Sequence, residues 1–83
     1  MELTAMKNIG AEMQRKLNAI GFDSAEELTR TGSKEAYFRL KSSYPEVCLV
    51  HLYVLQGAID NIAFNLLPQN IKNELKAFSD NLK

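Results

Sequence analysis

One segment of this sequence limits the possible folds more than any other: from Val47 to Leu67 it is largely apolar. Between Val47 and Ala63 the apolar residues fill nearly the whole circumference of a helix, and such a helix must be central in a fold. Glycine costs about 1 kcal/mol relative to alanine inside a helix, so we expect a neighbouring helix to approach closely at Gly57. The segment also holds polar residues that would be costly in hydrocarbon, which makes it a core helix and not a membrane anchor. These residues are His51, Gln56, Asp60, Asn61 and Asn65.

The rest of the chain also follows helical periods, and no stretch alternates apolar and polar residues as a strand does. We therefore predict an all-α fold, a compact five-helix bundle. Gly21 and Gly32 follow the first two helices, and Pro68 is expected at the first position of the last. Ser24 and Ser33 are expected to cap the second and third helices. With 83 residues the chain has room for one small core, so we predict a single domain over residues 1–83.

The charge balance bears on the class of partner. Ten Lys and Arg residues match ten Asp and Glu residues, so the chain lacks the basic excess of a large nucleic-acid footprint. Any DNA contact is therefore expected to be weak, local and not sequence-specific. The single cysteine, Cys48, has apolar neighbours and is expected to be a buried, reduced thiol. The N-terminal residues carry no secretory signal, and both observations indicate a cytoplasmic protein.

Residues for catalysis or metal binding are sparse. The only histidine, His51, lies inside an apolar helix, where we expect a partly buried imidazole with its hydrogen bonds satisfied and not a general base. Cys48 and His51 form an isolated pair, whereas zinc needs three or four ligands. No phosphate-binding loop, nucleophile elbow or dinucleotide fingerprint occurs. We predict no enzyme, no catalytic residue, no cofactor, no metal and no small-molecule substrate.

The segment from Met6 to Gly10 leads straight into an amphipathic helix. The first N–H groups of a helix lack internal partners, so a turn of this kind can hold a phosphate. Glu12 would repel a phosphate, and the same residues also describe a plain turn between two packed helices, so both interpretations stay open. The candidate phosphate or DNA contacts are Lys7, Asn8, Ile9, Gly10, Ala11, Arg15 and Lys16.

The last helix carries an apolar stripe that either closes the core or meets a second copy or another protein. We therefore predict a protein partner or self-association through this candidate interface. The stripe consists of Ile71, Leu75, Phe78 and Leu82. Four aromatic residues elsewhere are expected to pack in the core or at its rim and not to stack on bases. They are Tyr37, Phe38, Tyr44 and Phe64.

The segment from Met6 to Gly10, which we call the early turn, resembles the helix-hairpin-helix motif of DNA repair and replication proteins. The apolar and glycine residues of the motif correspond to Met6, Asn8, Ile9 and Gly10. Asn8 replaces the first glycine, a substitution that left-handed backbone geometry tolerates. Gln14 stands where the motif has a small residue. The resemblance implies a bundle of SAM-like or helix-hairpin-helix-like type.

A second resemblance covers nearly the whole chain and is to the C-terminal domain of the TfoX (Sxy) family of bacterial competence regulators. Its pattern is matched in order and spacing by Asn8-Ile9-Gly10, Leu17, Ile20-Gly21, Ser24, Glu27-Leu28, Gly32, Glu35-Ala36-Tyr37, Leu40 and Leu52 to Ile59. Phe64 stands where a tryptophan is expected. The family pattern also has an N-terminal domain that this chain lacks, which implies an excised domain or a stand-alone relative.

The TfoX resemblance implies a transcriptional coregulator that promotes competence genes together with a cyclic-AMP receptor-type activator, with no catalytic activity. We therefore expect a non-enzymatic regulatory module that contributes to transcription or DNA-uptake regulation by docking to protein and possibly to DNA. The alternative is a self-association or protein-interaction module without nucleic-acid contact.

Overall fold

The computed structural model describes residues 1–82. This part of the chain contains five α-helices and no strand, which confirms the predicted all-α fold. The helices are α1 (Ala11–Ala19), α2 (Ala25–Thr31), α3 (Ser33–Ser43), α4 (Leu49–Asp60) and α5 (Gln69–Asn81). Single 3-10 turns at Leu3–Ala5 and Phe64–Leu66 precede α1 and α5.

Helix α4 is the centre of the bundle, as its composition predicts. Leu52, Leu55 and Ala58 are buried, and α3 and α5 both pack against this helix. The N-terminal end of α4 is only partly covered by the rest of the chain, since Val50 is 48% exposed. Helix α4 also ends at Asp60, three residues before the predicted end, because Asn61 adopts a left-handed conformation with φ 59°.

Gly21 follows the end of the first helix, as the sequence predicts, and has a positive φ of 101°. The Phe22 N–H donates to the Leu17 carbonyl at 3.0 Å, and the Gly21 N–H donates to the Asn18 carbonyl at 3.1 Å. This pair of bonds is the Schellman arrangement, and the Phe22 side chain that follows it is buried in the core.

Two of the predicted helix starts need correction. Ser24 caps α2 as expected, its hydroxyl accepting from the Glu27 N–H at 3.2 Å. Ser33, in contrast, is the first residue of α3 and caps nothing, because its hydroxyl donates to the Gln56 side chain on α4. Gly32 holds the capping position of α3 with φ 94°. Pro68, which the sequence predicts as the first residue of the last helix, instead lies one residue before α5, in its capping position.

Candidate docking surfaces

The early turn has the backbone geometry that the sequence predicts. Asn8 is left-handed with φ 73°, Ile9 is buried in the core, and Gly10 is extended and leads into α1. Gly10 and Ala11 are exposed, and Gly10 has no side chain that could cap the helix. The first-turn amides of α1 therefore remain open to an acceptor from outside.

The side chain of Asn8, however, belongs to the interior of this protein. Its Nδ2 donates to the Ile62 carbonyl at 2.9 Å, and its Oδ1 accepts from the Phe64 N–H at 3.3 Å. Asn8 thus ties the early turn to the segment that follows α4. Its side chain is engaged in these internal bonds, so only the backbone around it remains as a candidate contact.

Gly57 explains how Asn8 gains access to α4. A Cβ atom at this position would lie 2.5 Å from Asn8 Nδ2 and 2.5 Å from the Ile62 carbonyl oxygen. The predicted close approach is therefore real, but the predicted neighbour is wrong. The atoms that require glycine here belong to the early turn and to the backbone after α4, not to a neighbouring helix.

Two basic residues predicted as phosphate contacts are already engaged with other side chains. Arg15 is exposed, but it donates to the Glu12 carboxylate at 2.6 Å. This hydrogen bond, with the attraction between the charges, lowers the pKa of Glu12 and raises that of Arg15. Lys16 is largely covered: its side chain is 14% exposed, and its Nζ lies 5.4 Å from the centre of the Tyr44 ring and 3.7 Å from the Glu46 carboxylate.

Lys7 is the basic residue of this set that remains available. Its side chain is exposed and has no hydrogen bond or ion pair within residues 1–82. The structure therefore reduces the candidate phosphate surface to Lys7 and the open backbone of Gly10 and Ala11. Whether DNA contacts this surface stays a prediction.

The apolar stripe of α5 faces the core of the same chain. Leu75 is fully buried, and the other members of the stripe are partly buried against the core. The stripe thus closes the bundle, which is one of the two alternatives that the sequence leaves open. Phe78 and Leu82 retain some exposure, so a partner at this end of α5 stays a prediction.

Phe78 and Leu82 contribute to a groove of about 710 Å³ between α3 and α5. Phe38 of α3 forms its opposite side and is 49% exposed, although the sequence predicts packing in the core or at its rim. Its neighbour Tyr37 is buried, as expected. We call this feature the α3–α5 groove. Its principal lining residues are Lys34, Phe38, Gln56, Glu74, Phe78 and Leu82.

Sequence reasoning missed the α3–α5 groove, although one signal for Phe38 is present. The inward face of the third helix is defined by Ala36, Tyr37 and Leu40, and Phe38 lies off that face. An aromatic residue off the core face of an amphipathic helix is a candidate for a surface contact.

The prediction of a buried Cys48 is wrong, because this residue is exposed at the capping position of α4. Val47, one residue earlier, is buried. Successive side chains of an extended backbone point to opposite sides, so the side chain of Cys48 points outward. The Cys48 N–H donates to Nδ1 of His51 at 3.0 Å. His51 is therefore a partly buried, hydrogen-bonded imidazole, as predicted.

Among residues 1–82, no group of three or more His, Cys, Asp and Glu side chains is placed to hold a metal ion. Across the same residues, none of the helices has both the length and the apolar content needed to cross a bilayer.

The architecture is that of a small, all-helical domain, and comparison with known proteins gives its family. The model of the TfoX C-terminal domain matches residues 1–79, so the chain belongs to the TfoX C-terminal domain family. This membership confirms the predicted resemblance. It indicates a regulatory or DNA-uptake-related module and points to a domain without catalytic activity.

Two solved structures have the same fold. Both are crystal structures of uncharacterised proteins from Listeria monocytogenes, one in a triclinic and one in a tetragonal form. Each is 35% identical to this chain and covers 99% of it, with TM-scores of 0.95 and 0.94. The match covers 93% of the first Listeria chain and 100% of the second. Among curated proteins, no significant match to this chain was found.

Proposed function

We propose that this domain is a non-enzymatic regulatory module that docks to another protein through the α3–α5 groove and contributes in this way to transcription or DNA-uptake regulation. The observation that carries the proposal is the half-exposed Phe38 beside that groove. A large aromatic side chain left half in water is available to be buried by a partner. Aromatic side chains of this kind provide much of the binding energy at protein interfaces.

The charges around the groove favour a protein over a nucleic acid. Lys34 pairs with Glu74 at 2.8 Å, and Arg39 pairs with Glu35 at 2.9 Å. Basic residues that are neutralised in this way offer little attraction to a chain of phosphates, whose binding depends on unpaired positive charge.

The proposal is tested in the organism that carries this chain. A strain that lacks the chain is complemented with the wild type, with Phe38→Ser or with Val50→Ser. Phe38 and Val50 are 49% and 48% exposed, which makes Val50→Ser a matched control outside the groove. We expect the transcript profile and DNA uptake to depend on Phe38 and not on Val50. Equal complementation by both variants would reject docking through the groove.

A second candidate function is weak, sequence-independent DNA binding by the early turn. It is favoured by the open first turn of α1 at Gly10 and Ala11 and by the unpaired Lys7. Fluorescence anisotropy with duplex DNA at low salt tests it, with Lys7→Gln as the variant. Binding should weaken steeply with added salt. An absence of binding at high micromolar protein would remove this candidate.

Self-association is the remaining interaction that the chain offers, through the exposed parts of Phe78 and Leu82. Sedimentation equilibrium tests it, and a strict monomer at high protein concentration would argue against it. A monomer would leave docking to a different protein intact.

A further inference from the structure

The Phe64–Leu66 turn, between α4 and α5, leaves two apolar side chains in water. Leu66 is 70% exposed and Phe64 is 37% exposed. The Phe64 N–H donates to Asn8 Oδ1 at 3.3 Å, so this turn is held beside the early turn. Exposed apolar side chains that stand together on a fixed turn form a candidate contact surface.

Two lysines lie next to this turn. Lys72 Nζ donates to the Asn65 carbonyl at 3.3 Å. Lys7 directly precedes Asn8, whose side chain bonds to Phe64. Neither lysine forms an ion pair within residues 1–82. A backbone carbonyl does not neutralise an ammonium group, so both lysines keep their full positive charge beside the exposed turn.

The charges of the chain balance in number but not in position. Asp60 is the acidic residue nearest to the turn along the chain, and it accepts from Gln56 Nε2 at 2.8 Å. Gln56 lines the α3–α5 groove, so this carboxylate is engaged on that side of α4. Asp23 and Glu27, which form no ion pair within residues 1–82, lie at the start of α2. The positive charge beside the Phe64–Leu66 turn is therefore local, although the whole chain is neutral.

We propose that the Phe64–Leu66 turn extends the candidate DNA surface of the early turn. Lys7 and Lys72 bind phosphates of a duplex, and Leu66 contacts the minor groove between them. Proteins that bind the minor groove combine basic residues with apolar side chains in this way. Contacts with phosphates carry little sequence information, so binding by this surface is sequence-independent. This inference rests on the second candidate function and adds a further part to its binding site.

The salt dependence of binding tests the role of Lys72. The full chain is titrated into a labelled DNA duplex at a series of salt concentrations, and fluorescence anisotropy gives the affinity. Lys72→Gln should reduce the slope of log affinity against log salt by about 1, because each phosphate contact contributes about 0.9. Lys76→Gln is the matched control, since it removes the same charge from the same helix. Lys76 is already paired with Asp80 at 3.0 Å, so its loss should leave the slope unchanged.

The role of Leu66 is tested in the same titration. Leu66→Ser should weaken binding about three- to tenfold at every salt concentration, because it removes an apolar contact that is only partly buried. The slope should not change, since no charge is lost. Val50→Ser is the control, because Val50 is 48% exposed at the other end of α4. We expect this variant to bind the duplex as the wild type does.

The possible failures can be told apart. Equal changes of slope for Lys72→Gln and Lys76→Gln, or an unchanged affinity for Leu66→Ser, would overturn the inference. If Lys7→Gln alone weakens binding, DNA binding by the early turn stands and only its extension is rejected. An absence of binding at high micromolar protein would remove both.

An acidic protein is the other class of partner that this surface could attract. Labelled poly-L-glutamate serves as the probe for it. Binding of poly-L-glutamate that depends on Lys72, without binding of the duplex, would assign the surface to an acidic protein and would also overturn the inference.

Discussion

The side-chain amide of Asn8 occupies the space beside Gly57 that a larger residue in α4 would fill. Asn8 bonds to the backbone at Ile62 and Phe64, more than 50 residues further along the chain. The early turn, the end of α4 and the approach to α5 are thereby held in one arrangement. We infer that this contact sets the position of the N-terminus of α1.

Replacement of Gly57 by alanine tests the contact. The added methyl group would lie 2.5 Å from Asn8 Nδ2 and from the Ile62 carbonyl oxygen, and the latter belongs to the backbone and cannot simply rotate away. We expect the free energy of unfolding to fall by about 1–3 kcal/mol, as for other overpacked sites. Urea unfolding followed by circular dichroism measures it. Gly10→Ala is the control, because no atom lies within 4 Å of its added methyl group and its φ is −97°. If Gly10→Ala lowers the free energy of unfolding as much as Gly57→Ala does, the prediction is contradicted.

Two substitutions of Asn8 separate its backbone from its side chain. Asn8→Gly keeps the left-handed conformation and removes the hydrogen bonds, so we expect a loss of about 1–2 kcal/mol in the free energy of unfolding. Asn8→Ala removes the same hydrogen bonds but, unlike glycine, keeps a β-carbon at φ 73° without the polar side chain that lets asparagine tolerate this conformation, so we expect a loss about 1 kcal/mol larger. If Asn8→Ala lowers the free energy of unfolding no more than Asn8→Gly does, the left-handed conformation at residue 8 does not limit which residue fits there.

The buried hydroxyl pair of Tyr37 and Ser79 joins α3 to α5, with 3.1 Å between the two oxygens. Tyr37→Phe leaves the Ser79 hydroxyl buried without this partner, and we expect it to cost about 1–2 kcal/mol. A double-mutant cycle with Ser79→Ala should give a coupling of about 0.5–1.5 kcal/mol. Additive effects of the two substitutions would show that the bond contributes nothing to stability.

The ion pair of Glu12 and Arg15 gives a pH-dependent prediction. Arg15 lowers the pKa of Glu12 in the folded chain from its ordinary value of 4.5, chiefly through the hydrogen bond between them. Because the pKa of Glu12 is lower in the folded chain than in the unfolded chain, the ion pair stabilises the fold at pH values above 4.5. This stabilisation is lost as the pH falls through the lowered pKa. Carbon-13 NMR of the Glu12 carboxyl group should therefore show titration below 4.5. In Arg15→Gln the pKa should rise, and an unchanged pKa would reject the pairing.

The parts of this fold that follow from short-range rules could be predicted from the sequence. Gly21 ends α1 with a positive φ, and Ser24 caps α2, because each feature involves residues within a few positions of one another. The apolar composition of α4 likewise places that helix at the centre. The partners of Asn8 and Ser33 could not be predicted, since each bonds to residues more than 20 positions away.

The candidate surfaces were less accessible to sequence reasoning. Lys16 lies on the outward side of α1, but Tyr44 and Glu46 from a distant loop cover it. Cys48 has apolar neighbours, yet the capping position faces water. The α3–α5 groove depends on how α5 lies relative to α3. The pattern of residues along the sequence does not show how two distant helices are placed.

A photo-activated cross-linking residue at position 38 tests whether this domain docks to a protein through the α3–α5 groove. The full chain is expressed in its own host with p-benzoylphenylalanine in place of Phe38 or, as the matched control, of Val50. We predict a discrete protein adduct on irradiation from position 38 and none from position 50. Adducts of equal yield from both positions, an adduct with nucleic acid alone, or no adduct from position 38 would contradict docking through this groove.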